Sequence, residues 1–118
     1  MIADEISTQI RAELARLCNN SKQRSSEFSR ERPTRWSPGT VVDPRCEFGN
    51  FFTPLAAWNY IEERLLGDEP VEVILLDRPP GKKGYVMKIP QPDGQILYIK
   101  LQLCAIGVHG RSFHYSNA

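Results

Sequence analysis

Apolar residues recur at helical spacing near the start of the chain. Successive members of this set are three or four positions apart: Ile2, Ile6, Ile10, Leu14 and Leu17. That period places all of them along one side of a helix. The polar run "NNS" follows and interrupts the pattern. The sequence therefore predicts an amphipathic helix over 2–18, within an N-terminal segment 1–19.

A second helix is predicted over 54–66, inside the segment "FFTPLAAWNYIEERLLGDEP". Thr53 is a favourable N-cap, and Pro54 suits the first helical position because its missing N–H would have no partner there. The apolar side chains that follow keep helical spacing, namely Leu55, Trp58, Ile61 and Leu65. Gly67 is typical of a helix end. We expect the apolar face of this helix to pack on a sheet.

The rest of the chain reads as strands. "VEVILL" (71–76) is apolar on both sides, which is typical of a central strand. Segments 84–89 and 95–103 flank "PQPDG", a turn sequence suited to a hairpin. The last strand is expected over 107–116, with Gly110 at a bulge. Residues 51–118 would then form a helix and an antiparallel meander, so the predicted fold is α+β, with helices on one face of a small antiparallel sheet.

Composition limits the classes of protein that remain. The chain has 118 residues, of which 41% are hydrophobic and 25% charged, and we expect one globular domain, 1–118. No apolar run approaches the roughly 20 residues that span a bilayer, and the N-terminus lacks a secretory pattern. Three distant cysteines provide no metal-binding spacing. A cytoplasmic protein with no cofactor and no membrane partner is the expectation.

Residues 20–50 show no periodicity and are rich in Arg, Ser and Pro. A structureless loop of this length is unusual within a compact domain. We expect either a mobile arm or a wrapped segment held by its aromatic side chains, Phe28, Trp36 and Phe48.

Polar side chains alternate along the strand "QILYIKLQL". Leu97, Ile99, Leu101 and Leu103 would share one face, and Tyr98, Lys100 and Gln102 the other. The neighbouring strand can add Lys88 to this polar face. The last strand adds either Arg111 with Tyr115, or His114, depending on the bulge.

These residue types suit cleavage of RNA by attack of a ribose 2′-hydroxyl on its own phosphate. Lysine and arginine would hold the phosphate and stabilise its developing charge. Histidine transfers protons near neutral pH, and tyrosine stacks on a base. The plain alternative is that lysines on strands only discourage aggregation.

The ending "GRSFHYS", after "LYIKLQL", resembles the end of RelE/YoeB-type toxins of bacterial toxin–antitoxin systems. It is also similar to the motility quorum-sensing regulator toxins of that superfamily. The resemblance covers about 54–116 and implies an mRNA endonuclease with a cognate protein antitoxin, and it leaves open whether the RNA is cleaved on the ribosome. It implies catalytic roles for His114, Arg111, Lys100 and Tyr115. Substrate-binding roles are expected for Tyr98, Lys88, Gln102 and Lys83.

Two other functions stay open at the level of sequence. Cys104 could act as a nucleophile with His109 or His114, although a free cysteine near a sheet is more often an apolar filler. A non-catalytic interaction module, of the immunity or adaptor type, would bind a partner through the open sheet face or an edge strand. Catalysis requires Lys100, Arg111 and His114 to converge in one concavity, whereas a binding module does not.

Overall fold

The computed structural model describes residues 6–105 and 107–116. Within these ranges the chain forms two α-helices, α1 (Thr8–Cys18) and α2 (Pro54–Leu66), and a short 3-10 helix at Pro38–Thr40. No helix in these two ranges has the length and apolar character needed to cross a bilayer.

Both α-helices begin at side-chain caps. The hydroxyl of Ser7 accepts a hydrogen bond from the Ile10 amide at 3.1 Å, so α1 starts at Thr8 rather than at residue 2. Ile2 lies outside the described residues. In α2 the Thr53 hydroxyl accepts from the Ala56 amide at 3.0 Å, as the sequence predicted.

One six-stranded sheet faces the helices. In chain order its strands are β1 (Arg24–Ser25), β2 (Arg35–Trp36), β3 (Glu72–Leu75), β4 (Lys83–Pro90), β5 (Ile96–Cys104) and β6 (Gly107–Tyr115). The spatial order is β1-β6-β5-β4-β3, and β2 also pairs with β6. Strands β3 to β6 form an antiparallel meander, while β1 and β2 pair with β6 in parallel. The α+β class is confirmed, but the sheet is mixed and larger than predicted.

Strand β3 is at the sheet edge, so its predicted central position is wrong. Its apolar residues have a different cause: both faces of this edge strand are partly covered. Val73 packs against the core on the helix side, and on the other side Ile74 and Leu76 pack over Gly84. An edge strand with both faces partly covered therefore has the same run of apolar residues as a central strand.

Strand β6 lies inside the sheet, because β1 and β2 pair with its other edge. The Val108 amide donates to the Gln23 carbonyl at 2.8 Å, and the Ser37 amide donates to the Phe113 carbonyl at 2.9 Å. The C-terminal strand is thus held on both sides and is not a frayed end.

The main core lies between the helices and one face of the sheet. Its fully buried side chains include Leu14 of α1, Ile61 of α2, and Leu97, Ile99, Leu101 and Phe113 of the sheet. The predicted alternation along β5 is confirmed for Leu97, Ile99 and Leu101, which are buried in this core. Leu103, near the end of β5, is partly exposed.

Residues 20–50 wrap around the sheet edge, and Trp36 anchors them. The Trp36 ring lies 4.9 Å from that of Trp58 and 5.4 Å from that of Phe113, measured between centroids. Phe28 and Phe48 are 69% and 87% exposed, so the prediction that they also hold this segment is wrong.

Candidate functional site

A bulge in β6 determines which side chains share the polar face of the sheet. Lys100 is opposite Ser112, but the next residue, Leu101, is opposite Gly110. Arg111 is therefore the extra residue of β6. An extra residue shifts the alternation of side chains by one position beyond it. Arg111 consequently lies on the polar face together with its neighbour Ser112, whereas Gly110 lies on the helix side.

The bulge settles the choice that the sequence left open in β6. Arg111 and His114 both line one cavity on the polar face, whereas Tyr115 lies on the helix side. Gly110 permits this arrangement because a Cβ there would lie much too close to the Trp36 ring. Only glycine lets Trp36 pack flat against the strand at this point.

The cavity has a volume of about 570 Å³ and lies between two walls. One wall is 33–35, which leads into β2, and the other is 74–78, which leaves β3. The floor comes from β5 and β6 and consists of Tyr98, Lys100, Arg111, Ser112 and His114. We call this the Lys100 cavity.

Arg111 is fixed at the floor of the Lys100 cavity and is only 4% exposed. Its Nε donates to the Pro33 carbonyl at 2.8 Å, and Nη1 donates to Gln102 Oε1 at 2.9 Å. Burial is the largest cause that lowers the pKa of this guanidinium. Within the described residues Arg111 makes no ion pair with a carboxylate.

Lys100 is a second, half-buried cation in the same cavity. Burial lowers the pKa of its ammonium group, and the nearby charge of Arg111 lowers it further, while Asp77 acts in the opposite direction. Lys100 also has no ion-pair partner in the part of the chain that the structure describes. Two neighbouring cations without carboxylate partners create a site of positive potential that favours an anion.

The ring of His114 has a defined orientation. Its Nδ1 is 2.8 Å from the Tyr115 carbonyl, and because a carbonyl only accepts, Nδ1 carries the proton. In the neutral ring Nε2 is then free to accept a proton. The ring stacks on Tyr98 with centroids 5.5 Å apart and planes inclined by 24°. Burial and the charge of Glu72 raise the pKa of the Tyr98 phenol, which therefore stays protonated at neutral pH.

Gln102 lies beside the residues that line the Lys100 cavity. Three other predicted site residues lie away from the cavity, namely Lys88, Lys83 and Tyr115. Gln102 is buried and orients Arg111. Lys88 is on the same face, opposite Tyr98, but its side chain is half-exposed outside the walls and ion-paired with Glu72 at 3.7 Å. Lys83 is exposed at the start of β4, on the opposite face from its neighbour Gly84.

Tyr115 has contacts that fit a structural role. Its hydroxyl accepts a hydrogen bond from the Val42 amide at 3.1 Å and donates to Asp93 Oδ2 at 3.4 Å. The ring packs against the main core. The cavity is thus lined by four of the eight predicted site residues, His114, Arg111, Lys100 and Tyr98, and a fifth, Gln102, is hydrogen-bonded to Arg111.

Sequence reasoning missed Ser112 and both walls of the cavity. Ser112 is opposite Lys100, and a bulge placed at Arg111 would have predicted that the Ser112 side chain lies on the polar face. The walls at 33–35 and 74–78 carry no motif, and their position depends on the parallel pairing of β2 and on the fold of the chain after β3. Among the described residues, no three His, Cys, Asp or Glu side chains meet in a way that could hold a metal ion.

Comparison with known proteins gives no family for this chain. No protein-family model, no curated protein and no solved structure matches it. The function must therefore be argued from the residues that line the cavity.

Proposed function

We propose that this protein is a metal-independent endonuclease that cleaves single-stranded RNA, including mRNA, in the Lys100 cavity. The observation that carries the proposal is the convergence of Lys100, Arg111 and His114 in one concavity. Two cations without carboxylate partners suit a phosphodiester, and a histidine with a free Nε2 suits proton transfer. The resemblance of the chain end to RelE-type toxins adds support from the sequence.

The reaction proceeds by transfer within the RNA strand. The ribose 2′-oxygen attacks the adjacent phosphorus, the bond to the 5′-oxygen breaks, and a 2′,3′-cyclic phosphate forms. His114 Nε2 accepts the proton of the 2′-hydroxyl, since its Nδ1 is already protonated. The leaving 5′-oxygen takes a proton from the Lys100 ammonium, which burial makes more acidic. Arg111 stabilises the negative charge that develops on the phosphate oxygens.

A cognate protein inhibits the enzyme by covering the Lys100 cavity, and the ribosome is a place where mRNA can be presented to it. A second candidate function is non-catalytic binding. It is favoured by the edge strand β3, where Leu75 is 72% exposed, because a partner strand can add to a free edge.

Expression in a bacterial host tests the proposal under conditions that supply mRNA and ribosomes. Wild type, His114→Asn and Lys88→Met are expressed from a tightly repressed promoter, and growth and new RNA ends are followed. Asn keeps an N–H for the Tyr115 carbonyl but does not exchange protons. We expect RNA cleavage by wild type and Lys88→Met, and a loss of about 10²- to 10⁴-fold in His114→Asn.

Lys88→Met is the matched control because Lys88 is on the same sheet face, outside the cavity. Equal growth and intact RNA for all three proteins would contradict the endonuclease and favour the binding module.

A further inference from the structure

A second cavity on the polar side of the sheet is not used by the chemistry above. It has a volume of about 340 Å³ and lies where β1 and the residues after it approach the start of β6. Side chains of differing character line it, including Glu27, Phe28, Arg32, Cys104, Val108 and His109. We call it the His109 cavity.

His109 is the unusual residue of this cavity. It is only 5% exposed, and its Nε2 is buried without a hydrogen-bond partner in the described part of the chain. Burial lowers the pKa of the imidazole, and the charges of Arg32 and Arg111 lower it further, whereas Glu27 acts in the opposite direction. The ring is therefore neutral at neutral pH. A buried polar atom of this kind is unfavourable unless water or a neighbouring group supplies a hydrogen bond.

The two cavities are neighbours on one surface. Gln102 is opposite His109 across β5 and β6, and the same Gln102 accepts the hydrogen bond from Arg111 in the Lys100 cavity. The chain between β1 and β2 borders both, with Arg32 lining one cavity and Pro33 the other. From Tyr98 to Gln102 the strand advances about 13 Å, enough for more than one nucleotide.

We propose that the His109 cavity binds the base of a nucleotide next to the cleaved phosphodiester, while that phosphodiester lies in the Lys100 cavity. This inference rests on the proposed function and names a substrate contact for it. The exposed ring of Phe28 provides a stacking surface for the base, His109 lines the cavity beside it, and Arg32 attracts the adjoining phosphate.

The two histidines of the chain make the inference testable by NMR of the intact protein. His114 reports on the Lys100 cavity and His109 on the second cavity, with His114→Asn used to assign the two imidazole signals. The protein is titrated with inorganic phosphate and with a deoxyribonucleotide tetramer, which lacks the attacking 2′-hydroxyl. We expect phosphate to shift the His114 signal alone and the tetramer to shift both.

A tetramer that shifts only His114 would overturn the base-binding inference and leave the proposed function standing. A tetramer that shifts neither histidine would contradict both.

A pair of exposed phenylalanines provides a test that does not depend on the buried His109. Phe28→Ala should weaken tetramer binding about tenfold, the scale of one lost base stack, and leave phosphate binding unchanged. Phe48→Ala is the matched control, since Phe48 is more exposed and does not line this cavity. Equal tetramer affinities for the two variants would overturn the inference.

Discussion

Lys100 is a residue whose position reduces stability. Its ammonium group is half-buried beside Arg111, and it has no ion-pair partner among the described residues. Burying a charge without a partner is unfavourable. Natural sequences keep such groups mainly where the charge is needed for binding or chemistry.

Lys100→Met should therefore stabilise the fold and abolish RNA cleavage. The pKa of Lys100 is lower in the folded protein than its ordinary 10.5, so the unfolded chain binds the proton more tightly. The free energy of unfolding of wild type therefore rises with pH between the lowered pKa of Lys100 in the folded protein and 10.5. Below that window, the full cost of burying the charged ammonium group is present. We expect the variant to have the higher urea midpoint at pH 7, with the difference shrinking as the pH approaches 10.5.

Lys88→Met is the control for this experiment, because the half-exposed ion pair of Lys88 with Glu72 contributes little. Its free energy of unfolding should stay within about 0.5 kcal/mol of wild type. A Lys100→Met protein that unfolds at a lower urea concentration would contradict the destabilising effect of Lys100. A Lys100→Met protein that still cleaves RNA would contradict its role in the reaction.

At the residue scale, the sequence predicted only half of the site. Strand alternation correctly grouped Tyr98, Lys100 and Gln102 on the polar face. It could not assign Arg111 and His114 to the same face, since that depends on the bulge. The sequence indicated a bulge near Gly110 but not that Arg111 is its extra residue, and Gly110 contacts Trp36, which lies some 75 residues earlier in the chain.

At the scale of elements, the two short parallel strands had no recognisable signal. β1 and β2 contain two residues each, too few to show alternation. Helix α2 was predictable to the residue because its cap, its first proline and its terminal glycine are all local. Elements that exist only through pairing with a distant strand cannot be read from local sequence.

Gly107→Ala should disrupt the pairing of β1 with β6. A Cβ at Gly107 would lie much too close to the Gln23 carbonyl oxygen, the same oxygen that accepts the hydrogen bond from Val108. Backbone cannot move aside as a flexible side chain does, so that bond must stretch or break. We expect a loss of about 1–3 kcal/mol in the free energy of unfolding and faster hydrogen exchange at the Val108 amide.

Gly39→Ala is the matched substitution, because no described atom lies within 4 Å of the Cβ it would add. If both variants unfold at the same denaturant concentration and protect Val108 equally, the parallel pairing of β1 is wrong.

At the scale of the whole molecule, the charge is uneven although the net charge is only +1. The Lys100 cavity is lined by four cations and one carboxylate, namely Arg35, Arg78, Lys100, Arg111 and Asp77. The His109 cavity is lined by two cations and one carboxylate, namely Lys22, Arg32 and Glu27, whereas the guanidinium of Arg24 lies at the Cys18 carbonyl and the Trp58 ring. Attraction of a polyanion depends on this local field more than on the total charge.

Binding of the deoxyribonucleotide tetramer should therefore weaken steeply with salt. Each phosphate contact on a single strand contributes about −0.7 to the slope of log affinity against log salt concentration, so three phosphates give about −2. Arg32→Gln should make the slope shallower by about 0.7, because Arg32 lines the path between the two cavities. Lys83→Gln should leave the slope unchanged, since Lys83 lies on the other face of the sheet. A slope near zero would mean that no cation of the protein neutralises a phosphate of the strand, and equal slopes for the two variants would mean that Arg32 makes no phosphate contact.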